Sequence, residues 1–261
     1  MNSPDPFEDL ARYYDPLMEH VNYDRWFFIT VALAELLPSP FRHLDTACGT
    51  GTLVEMLRKI GWDSAGLDLS PAMVHAARKK DGKPPVAVAD LRALPCSESV
   101  DIVSCLFDSL NFLLEEEDLQ LALRQLYQVL RPGGILYADI ITERMVTEHF
   151  EGQEWEEDND GFSSRWRSHY DHTAGIAESH VRVNTGSTSV IAERVYSQEK
   201  VEAMLREAGF DLLGAYDAET WKPTGKKTTR IDFVAVKSPG TGLKRKFDKV
   251  VTQVRDWVYA Q

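Results

Sequence analysis

Between residues 42 and 142 the chain alternates short, nearly continuous apolar runs with stretches of helical periodicity. Nearly continuous apolar runs are typical of strands that are buried on both faces of a parallel sheet. Five such strands are predicted, in the segments HLDTA, SAGLDLS, PVAVAD, VDIVSCLF and GILYADII. Helices are predicted between them in LVEMLRKI, in PAMVHAARKK and in a longer segment that ends at LRQLYQVL. This alternation predicts right-handed βαβ units, and hence a doubly wound α/β sheet with helices on both faces.

The segments on either side of this core have different patterns. Residues 5–37 predict two helices, and the second carries an apolar stripe at three- and four-residue spacing. Residues 145–195 alternate apolar and polar positions around two turns, which predicts three antiparallel strands inserted after the fifth strand. Ser197 is the predicted N-cap of a further helix that ends at Gly209. A closing strand pair, in FDLLGAYDA and RIDFVAVK, and a final amphipathic helix complete the chain.

We expect these elements to form a single domain over residues 1–261. Its parts are an N-terminal helical cap (1–40), the α/β core (41–144 and 196–238), an antiparallel lid insert (145–195) and a C-terminal helix (241–261).

Charge and cysteine content narrow the classes of function. The 29 Lys and Arg residues stand against 41 Asp and Glu residues, so the formal net charge is −12. Such a chain repels a phosphate backbone unless it has a concentrated basic patch, which disfavours nucleic acids and anionic membranes as partners.

Three cysteines without a C-x-x-C pair fit neither a disulfide framework nor a zinc site, so no metal is expected. The N-terminus lacks a signal-peptide pattern, and no apolar run approaches the roughly 20 residues of a membrane span, so we expect a cytoplasmic protein.

A glycine-containing loop, Asp45-Thr-Ala-Cys-Gly-Thr-Gly51, lies between the first predicted strand and the first core helix. Gly49 and Gly51 permit a tight turn and close approach of the backbone to a ligand, and the following helix N-terminus presents unpaired N–H groups. Asp68 ends the second strand and Asp90 ends the third. Parallel sheets bind ligands at the carboxyl ends of their strands, where a carboxylate such as that of Asp68 can accept hydrogen bonds from two ribose hydroxyls. The three acidic residues together predict a ligand site at this edge of the sheet.

These residues resemble the class I S-adenosylmethionine-dependent methyltransferases, whose nucleotide loop reads D-x-G-x-G-x-G. The chain matches that loop from Asp45 to Gly51, with Ala47 in place of the first glycine. GLDLSPAM (66–73) resembles the family's ribose-binding motif, ADL (89–91) its adenine-contacting motif, and LRPGG (130–134) the turn before its fifth strand. The likeness spans about residues 42–142, and ERVYSQEKVEAMLREAGF extends it. It implies a Rossmann-like, mostly parallel seven-stranded sheet that carries the inserted antiparallel strands.

The resemblance implies how the adenosine part of the cofactor S-adenosylmethionine would be held. Asp68 would hold the ribose hydroxyls, and Asp90 with Leu91 would fix the adenine amino group and ring. Leu69 and Met73 would pack against the adenine. The alternative for Leu69 and Met73 is a place in the hydrophobic core.

At the methionine end of the cofactor, the resemblance assigns the loop itself. Gly49 and Gly51 would let the backbone approach the methionine part, and Asp45 would support the loop or its ligand. The other cofactor contacts that the resemblance implies are Tyr14, Ala47, Cys48 and Leu106.

A nicotinamide-dependent dehydrogenase is the natural rival, because its fold begins in the same way. Its fingerprint G-x-G-x-x-G, counted from Gly49 and Gly51, requires glycine at position 54, where this chain has Val54. A β-branched side chain there prevents the close helix–strand packing that the third glycine allows. The dehydrogenase reading is therefore disfavoured.

The segment after the fourth strand, Phe107-Asp-Ser-Leu-Asn-Phe112, borders the transferred methyl group in this family. Base N-methyltransferases carry an N/D-P-P-Y/F motif there, whose prolines and aromatic ring hold a flipped base. Neither proline is present here, and the segment instead resembles the F-D-S-L-N stretch of small-molecule methyltransferases. Asp108, a candidate catalytic residue, either contacts a substrate amine or caps the following turn. Asn111 is a candidate substrate contact.

The N-terminal tyrosines and the insert supply the remaining candidates. Tyr23 and Trp26 lie in a segment that resembles the leading helices of small-molecule N-methyltransferases, where aromatic residues close over the cofactor; the alternative is that they pack on the sheet. The insert is placed like a substrate lid. Its His169 is a candidate general base, because histidine titrates near neutral pH. The arginines of the insert either recognise an anionic substrate group or pair with the acidic run EWEEDND.

The sequence therefore favours methyl transfer from S-adenosylmethionine to a nitrogen or oxygen of a small molecule, by a monomer or homodimer. No catalytic triad is expected, because the sulfonium is already an excellent leaving group and the protein contributes alignment and exclusion of water. The alternatives are a catalytically silent cofactor- or partner-binding protein and a protein or RNA methyltransferase.

Overall fold

The computed structural model describes residues 5–39, 41–95, 97–159, 161–184, 186–237 and 242–260. Cys96 and the two end residues of the predicted C-terminal helix fall outside these ranges. The first elements are α1 (Tyr14–Leu17), α2 (Tyr23–Ala34), β1 (Arg42–Thr46), α3 (Thr52–Lys59), β2 (Asp63–Asp68), α4 (Pro71–Lys79), β3 (Val86–Val88), β4 (Val100–Cys105), a 3₁₀ turn (Ser109–Phe112), α5 (Glu116–Val129) and β5 (Leu130–Ile141). They are followed by α6 (Glu143–His149), β6 (Glu154–Asn159), β7 (Phe162–Asp171), β8 (Ile176–Val183), β9 (Thr188–Arg194), α7 (Gln198–Glu207), β10 (Phe210–Asp217), β11 (Arg230–Lys237) and α8 (Leu243–Val258).

Seven strands form one sheet, in the order β10-β11-β5-β4-β1-β2-β3. The strands β1 to β5 run parallel to one another, whereas β11 is antiparallel to both β5 and β10. The predicted doubly wound, Rossmann-like sheet is confirmed. Because β1 to β5 are parallel, their carboxyl ends meet at one edge, and the acidic residues singled out in the sequence lie there.

Helices cover both faces of this sheet. On one face α5 and α7 pack through a cluster that includes Leu119, Leu123 and Leu205. On the other face α2, α3 and α8 pack through a second cluster that includes Leu33 and Phe247. Among the helices of the described residues, none is both long enough and apolar enough to cross a membrane.

The inserted sheet has four strands, in the order β6-β7-β8-β9, so the prediction of three strands was wrong. The additional strand β6 is the acidic run, whose only apolar residue is Trp155. Its carboxylates face the arginines of β7: Glu156 pairs with Arg165, and Glu154 with Arg167 at 3.0 Å. Cross-strand charge pairs therefore take the place of the apolar alternation by which a strand is recognised.

The first predicted N-terminal helix is only the single turn α1, and residues 6–13 are turns. This segment lies against the inserted sheet, where Leu10 and Leu17 pack with Phe162, Val181 and Val183. The apolar positions that suggested a helix are thus buried, but against strands of the insert. The N-terminal segment consequently connects the insert to the carboxyl edge of the main sheet.

Candidate active site

The loop between β1 and α3 brings three left-handed residues close to the end of β2. Ala47, Gly49 and Gly51 have φ values of 60°, 55° and 74°. The N–H of Cys48 donates to the carbonyl of Leu67 at 2.9 Å, which holds the loop against β2. A Cβ atom at position 49 would meet only a ring carbon of Tyr14, 3.9 Å away. The backbone at Gly49 is therefore open to a ligand on the side that Tyr14 faces.

Asp68 joins this loop to the N-terminus of α4. Its Oδ2 accepts the Gly49 N–H at 2.7 Å, and its Oδ1 accepts the Ser70 N–H at 2.8 Å. Burial raises the pKa of Asp68, and the two N–H donors partly offset that effect. The carboxylate is thus fixed in orientation between two elements, at the predicted position for ribose recognition.

A cleft of about 320 Å³ lies beside Asp68, and Leu69, Asp90 and Phe112 are among its lining residues. Leu69 exposes 63% of its surface there, so its side chain is accessible to a ligand. Arg92 binds the Asp90 carboxylate at 2.6 Å and Asp118 at 2.7 Å, and its hydrogen bonds lower the pKa of Asp90. The cleft therefore has an apolar surface at Leu69 beside the charged groups of Asp90 and Arg92, and this combination suits a planar base with a polar edge.

Three of the predicted cofactor residues are buried or half-buried in the apolar interior. Met73 exposes only 2% of its surface, and Leu106 is buried in the cluster of α2 and α8. Leu91 is half-buried against the α5 cluster. For Met73 the structure supports the core alternative, whereas Leu69 is free to contact a ligand.

The side chains of Tyr14 and Tyr23 approach the other end of the loop. Burial is the main cause that raises the pKa of each hydroxyl, and the charge of Asp108 adds to it in both cases. Asp68 acts on Tyr14 in the same way, and Asp45 on Tyr23. The two phenols thus remain protonated and lie near acidic residues of β1 and β2 and of the segment after β4, three strands that are neighbours in the sheet.

Asp45 lies beneath the loop in a buried polar chain. Its Oδ1 accepts a hydrogen bond from Ser104 Oγ at 2.5 Å, Ser104 Oγ lies 2.9 Å from His43 Nε2, and His43 Nδ1 lies 2.8 Å from Ser64 Oγ. Burial raises the pKa of Asp45 to about 7 and lowers the pKa of His43 to about 3. This chain links β1 to β4 and β2 at the base of the loop, and the supporting role implied for Asp45 stays a prediction.

Asp108 follows Phe107 at the end of β4, and both residues are left-handed, with φ values of 56° and 59°. Left-handed bulky residues are strained, and such strain is concentrated at functional sites. The Asp108 side chain makes no capping hydrogen bond to the 3₁₀ turn; instead it pairs with Arg230 at 3.0 Å. Its N–H donates to Asp139 Oδ1 at 2.7 Å. Of the two roles left open for Asp108, the capping role is therefore wrong.

Two sequence candidates lie away from this edge or are engaged elsewhere. Asn111 is fully buried; its Nδ2 donates to the Arg194 carbonyl at 2.8 Å and its Oδ1 accepts the Ile141 N–H at 3.1 Å. It therefore positions backbone, where the sequence suggested a substrate contact. His169 is exposed on the outer face of β7, opposite Glu178. Trp26, by contrast, packs between Tyr23 and the Phe107 ring at the site.

The structure adds site residues that the sequence analysis missed. Lys80 Nζ lies 2.7 Å from Asp15 Oδ2 and 3.0 Å from Thr50 Oγ1, which ties the N-terminal segment to the nucleotide loop. Arg230 and Glu193 reach Asp108 from β11 and β9. No local motif marks these residues, because each comes from a different and distant element.

The residues present fit S-adenosylmethionine on structural grounds. The exposed Leu69 beside Asp90 suits adenine, the fixed carboxylate of Asp68 suits a ribose diol, and the open backbone at Gly49 suits an amino-acid tail. The protonated Tyr14 and Tyr23 hydroxyls and the Trp26 ring suit a sulfonium, which aromatic faces and oxygen atoms stabilise.

Comparison with known proteins agrees with this geometry. A profile of the methyltransferase domain matches residues 44–138. The protein named "Putative methyltransferase YqeM" of Bacillus subtilis (strain 168) is 29% identical over 243 residues, which cover 89% of this chain and 97% of that protein.

Two solved structures share the fold. An S-adenosylmethionine-dependent methyltransferase from Clostridium acetobutylicum ATCC 824 superposes with a TM-score of 0.76 at 24% identity, covering 88% of this chain and 98% of the other. CalS10 from Micromonospora echinaspora, an amino pentose methyltransferase solved with bound S-adenosylmethionine, gives a TM-score of 0.68 at 22% identity, covering 87% and 96%.

Proposed function

We propose that this chain, which is a class I S-adenosylmethionine-dependent methyltransferase, methylates a nitrogen or oxygen atom of a small molecule. The observation that carries the proposal is a group of aromatic rings at this edge: the Tyr14 ring faces Gly49 of the cofactor loop, and Trp26 packs between Tyr23 and Phe107, the residue before Asp108. The N-terminal segment and the inserted sheet pack together, and a covered edge of this kind favours a small acceptor over a folded polymer. The net charge of −12 likewise argues against RNA.

The residues of the chain act chiefly by positioning. S-adenosylmethionine, when bound, supplies a methyl group on a sulfonium that is an excellent leaving group. Asp68 and Leu69 would hold the adenosine part, and the backbone at Gly49 would receive the methionine part. Tyr14 and Tyr23 close the site on the N-terminal side, where they orient the reacting groups and exclude water.

We assign the insert the role of a substrate lid. Its strand β9 contacts the 3₁₀ turn after β4 through the Asn111–Arg194 hydrogen bond, and its inner face packs on the N-terminal segment. The name of CalS10 gives an amino pentose as the substrate class of that neighbour, which supports a small acceptor for this chain as well.

The unpaired cysteines among the described residues, Cys48 and Cys105, suit a reducing cytoplasm.

Calorimetric titration with S-adenosylhomocysteine tests cofactor binding. Asp68→Asn replaces one acceptor oxygen with an amide donor that faces an N–H group, so we expect the Kd to rise at least about tenfold, equivalent to about 1.4 kcal/mol. Asp63→Asn, at the exposed start of the same strand, is the matched control and should bind as the wild type does. Equal affinities for the wild type and Asp68→Asn would refute the assigned site.

Turnover tests the reaction. We expect release of S-adenosylhomocysteine with at least one member of a panel of small amines, alcohols and phenols. Tight cofactor binding without turnover across that panel would instead favour the silent-binding alternative.

A further inference from the structure

We propose that the acceptor is an amine, which the carboxyl groups of Asp108 and Glu193 bind together, and that Glu193 of the insert determines this specificity. The proposal rests on the proposed function and names its substrate class. It assigns to β9 a residue that contacts the acceptor.

The first observation is the excess of acid in the cluster around Asp108. Two guanidinium groups have their own carboxylates, Arg25 with Asp232 at 2.9 Å and Arg230 with Asp139 at 3.1 Å. Asp108 is a third carboxyl group, and it shares Arg230 at 3.0 Å. With Glu193 the cluster contains four carboxyl groups for two cations, so it favours a further positive charge.

The second observation is a shortage of hydrogen-bond donors in the same cluster. Three buried carboxyl oxygens, Asp139 Oδ2, Asp232 Oδ1 and Glu193 Oε1, accept no hydrogen bond from the described residues. Asp139 and Asp232 are direct register partners on β5 and β11, so their side chains share one face of the sheet. Buried acceptors without donors are costly, and of the three only Glu193 Oε1 belongs to the pair with Asp108, where an N–H group of a ligand would satisfy it.

The third observation is a group of three packed aromatic rings, Tyr23, Trp26 and Phe107, next to Asp108. Trp26 lies 5.3 Å from Phe107 and 5.4 Å from Tyr23, measured between ring centroids. Aromatic faces attract cations electrostatically. An ammonium group beside Asp108 would therefore meet carboxylates on one side and aromatic rings on the other, close to the Tyr14 and Tyr23 hydroxyls.

Glu193 is the member of the cluster that links recognition to the insert. Its carboxyl group hydrogen-bonds that of Asp108, and burial followed by the charge of Asp108 raises the pKa of Glu193, while Arg230 lowers it. In the free protein Glu193 therefore carries a proton, which it donates to the Asp108 carboxylate. When an ammonium ion binds between the two groups it takes the place of that proton, which leaves for the solvent: R–NH3⁺ and the protonated pair give the complex and one H⁺. Before methyl transfer the ammonium group gives a second proton to one of the two carboxylates, which frees the nitrogen lone pair for the methyl group.

The experiment uses S-adenosylhomocysteine-loaded protein and a probe panel of aminodeoxy sugars, aliphatic diamines and arylalkylamines, each beside its N-acetyl and hydroxyl counterpart. We expect methylation, measured with S-adenosylmethionine, to be confined to amines.

Titration of the best amine in buffers of different ionisation enthalpy should show proton release on binding. In Glu193→Gln the kcat/KM for that amine should fall about tenfold or more and the proton release should vanish. Glu178→Gln, an exposed position on the neighbouring strand, should change neither.

The outcomes separate this proposal from the proposed function. Failure to bind S-adenosylhomocysteine at all would count against the proposed function. Normal S-adenosylhomocysteine binding, with hydroxyl or N-acetyl compounds methylated better than amines, or with no amine methylated, would overturn the amine proposal. So would a Glu193→Gln variant that keeps the wild-type melting temperature, kcat/KM and proton release.

Discussion

At the level of single residues, the backbone of Ala47 lies in the left-handed region, with φ of 60°, at the position where the family loop has its first glycine. A left-handed L-residue costs roughly 1–2 kcal/mol, and glycine removes that cost while losing about 0.4–1 kcal/mol through the greater freedom of the unfolded chain. We therefore expect Ala47→Gly to increase the free energy of unfolding by about 0.5–1 kcal/mol in urea titrations. Ala65→Gly, within β2, is the control and should destabilise the protein. A loss of stability in Ala47→Gly would contradict the strain argument.

The buried His43 predicts a specific pH dependence of stability. Burial lowers its pKa to about 3 in the folded protein, whereas the unfolded chain has an ordinary histidine. The stabilising contribution is therefore complete above about pH 6.5 and is lost as the pH falls toward 3. Between about pH 7 and about pH 5 the wild type should lose about 2 kcal/mol relative to His43→Gln, measured by urea unfolding at both pH values.

Asp45 acts in the opposite direction through the same polar chain. Its pKa is raised to about 7, so the folded protein binds a proton that the unfolded chain does not bind between about pH 4 and about pH 7. Its protonation stabilises the fold as the pH falls through that window. Asp45→Asn should consequently lose stability more steeply than the wild type on acidification from about pH 7 to about pH 5, by about 2 kcal/mol. Parallel pH profiles for the two proteins would contradict the assigned coupling.

At the level of elements, burial decided which parts of the fold could be predicted from the sequence. Strands such as β4 are buried on both faces and read as apolar runs, and Ser197 caps α7 as predicted, accepting the Lys200 N–H at 3.2 Å. Strand β6 was missed because ion pairs, which leave no periodic signal, hold it to β7. The first N-terminal helix was predicted to be longer than α1 is, because apolar residues that suggested one face of a helix pack instead on strands of the insert.

The candidate site divides in the same way. Asp68 and the glycine loop could be found because they occupy one strand–loop–helix unit, in which spacing along the chain fixes spacing in the structure. Glu193, Arg230 and Lys80 could not be found, because tertiary packing brings them together from separate elements. The sequence therefore predicts the cofactor end of the site better than the acceptor end.

The contact of Lys80 with Asp15 and Thr50 joins α1 to the cofactor loop, and it yields a prediction about ligand exchange. The Lys80 side chain is only 19% exposed and bonds Asp15 Oδ2 at 2.7 Å. Lys80→Ala should release the N-terminal segment from the loop and raise the dissociation rate of S-adenosylhomocysteine by about fivefold, equivalent to about 1 kcal/mol. Displacement kinetics would measure it, with Lys79→Ala, an exposed neighbour, as the control. Equal rates in the two variants would show that the contact does not govern exchange.

At the level of the whole molecule, the N-terminal segment, the insert and the carboxyl edge of the sheet form one continuous enclosure. Leu10 and Leu17 pack on the insert, while Asp15 and Tyr14 contact the loop. The same segment thus buries apolar surface on one side and covers the cofactor loop on the other. Under the proposed function, the parts added to the shared α/β core would therefore be the parts that contact the acceptor.

The charge of the whole molecule gives a last prediction, which separates small-molecule from RNA methylation. The net charge is −12, and the clearest basic run in the sequence is GLKRKFDK (242–249), at the start of α8. In that run Phe247 is buried, whereas Lys244, Arg245 and Lys246 are exposed. Phosphate binding would make affinity for tRNA fall by orders of magnitude between about 50 mM and about 200 mM salt. We expect no measurable tRNA binding at either concentration. We also expect S-adenosylhomocysteine binding to change less than about twofold between them, because the proposed site at Asp68 is partly buried and partly buried charges are screened less by salt. Salt-sensitive tRNA binding that the double variant Lys244→Glu, Arg245→Glu abolishes would instead identify α8 as a nucleic-acid surface and revive the RNA alternative.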